Sequence, residues 1–304
     1  MRRGTRTGSG FTLVELMVGL AFTMAVSAVV YRLLLVSGRA SRAQVEHAAL
    51  QDNVRAGALI VASELQELGF DSVPALAGLG AASAASSDIL LGQPGRIRYR
   101  AMRGLGFTCL APASAELRLR TATYQGARQP EGGVDSVSLF VEGEASVSDD
   151  DAWIRAAVTG MSNGSCADGA AALALTLAHP DAALAGSALP RVAVGGPVRI
   201  FEVMEIQYYR SEGRSWLGMR SASRGEIIQP LIGPLADSAA GPRGFTLGYL
   251  NRNDVPAATM SDVRSVTIGF HGVTDRAVWS GSGRPAVDSL ALSTRVALRN
   301  MLRP

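Results

Sequence analysis

Ser9-Gly10-Phe11-Thr12-Leu13-Val14-Glu15 joins a short basic head to a long apolar run, and a single carboxylate stands inside that run. From 11 to 31 only Glu15 is charged, which leaves 21 residues before Arg32. A helix rising about 1.5 Å per residue needs about 20 residues to cross a hydrocarbon core of roughly 30 Å, so the segment reads as a single transmembrane helix. A charge in such a helix costs from about 2.5 kcal/mol upward unless it is partnered, which marks Glu15 as a functional residue. The head carries Arg2, Arg3 and Arg6 and no acid, like the positive region of an export signal. An ordinary secretory signal fits poorly, because its apolar region is about 7 to 15 residues long and ends at a small-residue cleavage site. Here the run is longer and passes through Met, Val and Tyr.

Gly10-Phe11-Thr12-Leu13-Val14-Glu15, with its basic leader and apolar continuation, resembles the prepilin signal of type IV pilins and of type II secretion pseudopilins. The resemblance implies that a prepilin peptidase cuts after Gly10 on the cytoplasmic side and methylates the new amine of Phe11. It also implies that Glu15, one helical turn in, neutralises the terminal amine of a neighbouring subunit as the helix leaves the membrane for the filament. The spacing agrees, since side chains four apart share a helix face. The alternative is an uncleaved anchor in which Glu15 reaches back to the lipid headgroups.

Composition bounds the rest. The basic pI of 9.2 invites a nucleic-acid reading, but removing the three leader arginines from 29 basic residues leaves 26 against 26 acidic ones. A neutral mature chain loses the bulk electrostatic case for nucleic acid. Arg96, Arg98, Arg100 and Arg103 cluster, as do Arg118 and Arg120, and their alternation places them on the wet face of strands. Every basic residue is Arg. Arg2, Arg3 and Arg6 on one flank of the apolar run face Arg32, Arg39 and Arg42 on the other, so charge alone does not orient it. The resemblance puts the leader in the cytoplasm and the remainder in the periplasm, then on the filament. Cys109 and Cys166 are the whole thiol inventory, and in an exported domain an isolated pair most simply forms one disulfide, two free thiols being the alternative. His47, His179 and His271 are scattered, no Cys or His pair has ligand spacing, and neither a metal nor another cofactor is expected.

Beyond Arg32, Leu50, Val54, Ala58, Val61, Leu65 and Leu68 recur at helical intervals with Asp52, Arg55, Glu64 and Glu67 on other faces. This predicts one long helix from about 11 to 68, with a possible bend at Gly38 and a stop at Gly69. The expected organisation is a leader over 1–10, a membrane or filament-core helix over 11–31, its amphipathic continuation over 32–69, a linker over 75–87 and a head over 88–304. In the head the period changes to two, with strands expected at 97–99, 117–124, 134–141, 199–209, 216–220, 263–270 and 290–298, and a further strand at 245–249. Ser211, Glu212, Gly213 and Arg214 supply a hairpin turn. The fold class is therefore α+β, a long N-terminal helix packed on a mainly antiparallel β head. The order resembles the larger minor pilins of the PilW type and, more loosely, the J-type pseudopilins.

Rival motifs are weaker. Gly160-Met161-Ser162-Asn163-Gly164 spells G-x-S-x-G with His271 downstream, but a nucleophile elbow needs a strand before it and a helix after it, and turn composition follows at 165–169. Asp149, Asp150 and Asp151 lack the EF-hand spacing, and Gly78 and Gly80 lack the strand, helix and Lys of a phosphate loop. Trp153, Trp216 and Trp279 read as core or rim aromatics. The expectation is a minor pilin, a structural and assembly-priming subunit with no catalysis of its own. Its partners would be the prepilin peptidase, other minor and major pilins, the inner-membrane assembly platform and the lipid bilayer. A type II secretion pseudopilin shares the motif and the physics. An adhesin or DNA-uptake subunit would instead present an aromatic or Arg-rich patch on the head.

Overall fold

The structure is a computed structural model that describes residues 12–68, 87–110, 112, 115–141, 152–178, 192–237, 243–279 and 284–298. The leader, Gly69 and all of the linker except Ser87 lie outside these residues. A long helix, α1, runs over Leu13–Gln66, unbroken at Gly38. The strands are β1 Ile89–Gln93, β2 Arg96–Leu110, β3 Glu116–Arg120, β4 Gln125–Gly126, β5 Ser136–Val141, β6 Ala152–Ser165, β7 Ala171–Ala178, β8 Pro197–Ser211, β9 Arg214–Ser221, β10 Gln229–Leu235, β11 Phe245–Leu250, β12 Ser265–Val273, β13 Val278–Trp279, β14 Pro285–Ala286 and β15 Ser289–Ala297. The chain divides into two compact units, Met1–Leu50 with Thr274–Asp288, and Gln51–Val273 with Ser289–Pro304.

Among the described residues of the larger unit thirteen strands form one antiparallel sheet, and six of them close on themselves. Pairing runs from β2 to β3, β7, β6, β5 and β8, and then back from β8 to β2. Closure removes exposed edges from this part of the sheet. Its interior is filled by alternate residues of the ring strands, among them Leu117, Leu119, Leu139, Ile154, Leu173, Leu175 and Ile200. The rest of the sheet continues from β8 through β9, β10 and β12 to β11, with β15 along β12.

The C-terminal part of α1 packs on the open part of the sheet. Val54, Ala58, Val61, Leu65 and Leu68 are all buried, as the helical spacing requires. Asn53 Nδ2 donates to the Gly233 carbonyl at 2.9 Å, and Tyr99 Oη donates to Glu64 Oε2 at 2.9 Å. Burial, then the Glu64 carboxylate, push the Tyr99 phenol well above its ordinary value, so it remains the donor. At Gly57 a Cβ would strike Ile232 Cδ1 and lie 3.2 Å from Phe270 Cε1. Glycine costs a helix interior about 1 kcal/mol, and here it permits the close approach of helix and sheet.

β2 and β8 carry both cores. Buried positions on β2 include Ile97, Tyr99 and Ala101 before a register shift, then Gly104, Gly106 and Thr108 after it. Arg103 is the extra residue between the Met102 and Gly104 pairs, and this β-bulge moves the inward phase by one residue. The strand expected at 97–99 is thus one segment of a much longer one. The expected strand at 117–124 ends at Arg120, where Thr121–Thr123 form a 3₁₀ turn. The β8 to β9 hairpin turns at Glu212 and Gly213, both at positive φ (52° and 75°), the combination that matches strand twist in a two-residue loop.

In the smaller unit, α1 up to Leu50 is joined by the β12 to β15 connection, Thr274–Asp288, in which β13 and β14 pair. Thr274 N donates to the Asp288 carbonyl at 2.9 Å and Asp288 N donates to Thr274 Oγ1 at 3.0 Å, closing the base of this loop. Replacing Gly57 with Val is expected to lower head stability by about 1 to 3 kcal/mol through overpacking, read as a drop in the urea midpoint at unchanged slope.

Candidate functional site

The N-terminal end of α1 is the first candidate. Thr12 and Glu15 form a capping box: Glu15 N donates to Thr12 Oγ1 at 3.3 Å, while Thr12 N and Thr12 Oγ1 each donate to Glu15 Oε2 at 3.1 Å. The T-x-x-E spacing of Thr12 and Glu15 was the sequence signal for it. The carboxylate therefore has a local role in starting the helix. Among the described residues Glu15 Oε1 has no partner, and the whole side chain is exposed. Gly10 and Phe11 lie outside the described residues.

Every residue from 12 to 42 is exposed, including Leu13 (75%), Phe22 (68%) and Leu34 (66%). The helix contains a window of mean hydropathy 2.2 with none of it buried, long and apolar enough to span a membrane. An apolar surface of this extent calls for lipid or neighbouring chains around it.

The head's arginines form the second constellation: Arg96, Arg98 and Arg100 lie, as their alternation requires, on the face opposite buried Ile97, Tyr99 and Ala101, but there they are half-buried over carboxylates. Glu205 on β8 is fully buried and accepts from Arg96 Nη2 at 2.7 Å, Arg98 Nε at 2.8 Å and Arg220 Nε at 3.0 Å. Arg96, Arg98 and Arg220 are only 31%, 36% and 28% exposed. Three residues earlier, Glu202 meets Arg103 Nε at 3.0 Å, Arg128 Nη2 at 3.3 Å and Arg224 Nε at 3.3 Å, and Ser221 Oγ donates to it. Arg128 also grips the buried Asp135, and Arg224 grips Glu131. Arg100 lies 3.6 Å from Asp88. The bulge at Arg103 aims that side chain at Glu202, and the 2, 2, 3 spacing of Arg96, Arg98, Arg100 and Arg103 was its sequence trace. Arg118 and Arg120 lie on the outer face of β3 with similar exposure, paired with Glu116 at 2.6 Å and Asp168 at 2.7 Å.

Burial pushes the Glu202 and Glu205 carboxyls up, but the hydrogen bonds of Ser221 and the arginines outweigh it and hold both below the ordinary value. Between the folded and unfolded values the unfolded chain binds more protons. The stabilisation is thus complete above the ordinary Glu value and is lost as pH falls toward the folded one.

Cys109, near the end of β2, and Cys166, just after β6, form a disulfide of sequence separation 57, buried beside Ala172. Ser162 lies within β6 paired with Ala174, so G-x-S-x-G sits in an extended strand rather than at an elbow. Asp149, Asp150, Asp151, Gly78, Gly80 and His179 lie outside the described residues, among which no three His, Cys, Asp or Glu side chains gather as a ligand set. Trp153 packs edge-on to Phe140 under Arg199, Trp216 is half-buried, and Trp279 is 46% exposed with Arg39 stacked over it at 4.3 Å. No protein-family model matches the chain, and neither a curated protein nor a solved structure is significantly similar to it.

Three outcomes follow from the head. Glu205→Ala should cost about 3 kcal/mol, the low end for a broken buried pair because its arginines keep some solvent. The urea midpoint of the parent should fall once pH drops below about 4.3, and this acid slope should be shallower in Glu205→Gln. Replacing Cys109 and Cys166 with Ala should lower stability by about 4 kcal/mol in the chain-entropy estimate, read from the same denaturation curves.

Proposed function

We propose that the chain is a prepilin, processed after Gly10 and N-methylated at Phe11, that serves as a minor pilin of the PilW type in assembling a type IV pilus. The observation that carries this reading is the unpartnered apolar helix that begins at the Thr12 and Glu15 cap. Such a helix is stable in a bilayer and can pass into a bundle of like helices. The capping box supports a specific role for Glu15. Thr12 engages Oε2 within the subunit, and Oε1 remains for the amine of a neighbour. A head with an internal disulfide and internally paired charges suits a periplasmic and extracellular subunit. In this reading the chain has no catalytic role, and its partners are the prepilin peptidase, the other pilins and the inner-membrane assembly platform.

The test is expression of Gly10→Ala and Glu15→Ala variants in a strain lacking the parent gene, following chain mass and surface filaments. Gly10→Ala is expected to retain the leader mass. Glu15→Ala is expected to be processed yet to give few filaments. Normal processing of the first would refute the prepilin assignment, and normal assembly with the second would refute the role given to Glu15.

A further inference from the structure

The smaller unit contains a cleft of about 430 Å³ between α1 and the Thr274–Asp288 loop, lined by Arg39, Arg42, Glu46, Arg276, Val278 and Trp279. This is roughly the volume of a dozen waters. Arg39, Arg42 and Glu46 fall on one helix face, at intervals of three and four. The loop supplies the opposite wall, with Val278 buried and Trp279 beneath the Arg39 guanidinium. The one carboxylate in the lining, Glu46, accepts from the backbone N–H of Arg276 at 3.4 Å.

Two observations together point to a ligand. Among the described residues, the guanidinium groups of Arg39, Arg42 and Arg276 have no carboxylate partner, whereas Arg96, Arg98, Arg103, Arg128, Arg220 and Arg224 in the head are all paired. The second is height. The exposed apolar surface of α1 extends from Leu13 to Val36 with Arg32 as its one base, and the roughly 20 residues that fill a hydrocarbon core of roughly 30 Å run from Leu13 to Arg32. Arg39 and Arg42 follow Arg32 by seven and ten residues, about 10 and 15 Å, at and just beyond the outer edge of the headgroup layer and within reach of it for a long arginine side chain. An exposed Trp at that depth is the usual interfacial aromatic, apolar in body and polar at its N–H.

We propose that this cleft binds the phosphate of an anionic phospholipid headgroup, with Arg39, Arg42 and Arg276 as donors and Trp279 seated against the lipid interface. The assignment rests on α1 entering a bilayer and is independent of which filament the chain joins. It also gives a use to arginines that run against the charge bias expected of the far side of a membrane span. The bound lipid would neutralise them and hold the subunit at a set depth until its helix is withdrawn.

The full chain is incorporated into vesicles of phosphatidylcholine with and without phosphatidylglycerol, extracted in mild detergent, and its retained lipid is identified by mass spectrometry. Phosphatidylglycerol should be retained in preference to phosphatidylcholine. Each of Arg39→Gln, Arg42→Gln and Arg276→Gln should weaken retention about fivefold, and the triple variant more than tenfold. Lys at the same three positions should restore most of it, which excludes misfolding as the cause. Arg252→Gln, an exposed head substitution, should change nothing. Equal retention of the two lipids, or an unaffected triple variant, would overturn the proposal. So would displacement of the lipid by inorganic phosphate alone or by a short DNA duplex, which would assign the cleft to a free anion or to nucleic acid. Failure of the chain to resist alkaline extraction from the vesicles would overturn the membrane reading and the cleft with it, whereas incorporation without lipid preference would overturn the cleft alone.

Discussion

The antiparallel pairing of β2 with β8 runs from Arg96 opposite Gln207 to Phe107 opposite Pro197, and both apolar cores of the head are built on it. At one end the pair closes a six-stranded ring around Leu139, Leu175 and Ile200. At the other it carries Ile97, Tyr99 and Ile206, on the part of the sheet that receives the helix face of Val54, Val61 and Leu65. Two strands serving two cores must keep their inward side in phase with each. The bulge at Arg103 supplies the one-residue correction, and it delivers a cation to Glu202 where the phase changes.

That geometry explains why so much charge is buried in the head. Glu202 and Glu205 sit on adjacent stretches of β8 and would be costly alone. Arginines from β2 and β9, and from the segments that carry Arg128 and Arg224, surround them with donors that a planar guanidinium can aim in pairs. A buried ion pair adds little stability beyond an apolar isostere, but it admits few alternative registers, since slipping either long strand would strand a carboxylate. The head thus pairs the arginines around Glu202 and Glu205 internally. The helix does the opposite, leaving Glu15 at one end of its apolar span and Arg39 and Arg42 beyond the other with capacity for partners outside the chain.

For a subunit of the proposed kind this division is functional. Lipid or neighbouring helices must be exchangeable around the apolar span, so its side chains cannot be committed to the head. Glu15 combines both demands, since Thr12 holds it ready at the helix start without saturating it. A helix start satisfied within one chain can leave the bilayer without exposing all of its backbone donors.

Much of this was legible along the chain because it depends on neighbours in sequence. The apolar run, the helical stripe from Val54 to Leu68, the Glu212-Gly213 turn and the alternation of β8 are local patterns, and each corresponds to an observed element. β7 was also written in the alternation of Leu173, Leu175 and Leu177, though its alanine-rich context obscured it, while Pro230 and Pro234 masked β10. Other features were decided only by the tertiary structure. Ring closure joins β2 to β8 across about a hundred residues, and whether Arg96, Arg98 and Arg103 meet water or a carboxylate depends on which strand lies beside them. Period-two spacing says which residues share a face and is silent on what that face meets. The sequence by itself therefore determined the membrane-length helix with its lone acid and the β character of the head. Tertiary pairing decided that the head closes into a ring and that its arginines lie against buried carboxylates, and it brought the segment from Arg276 to Trp279 to the helix.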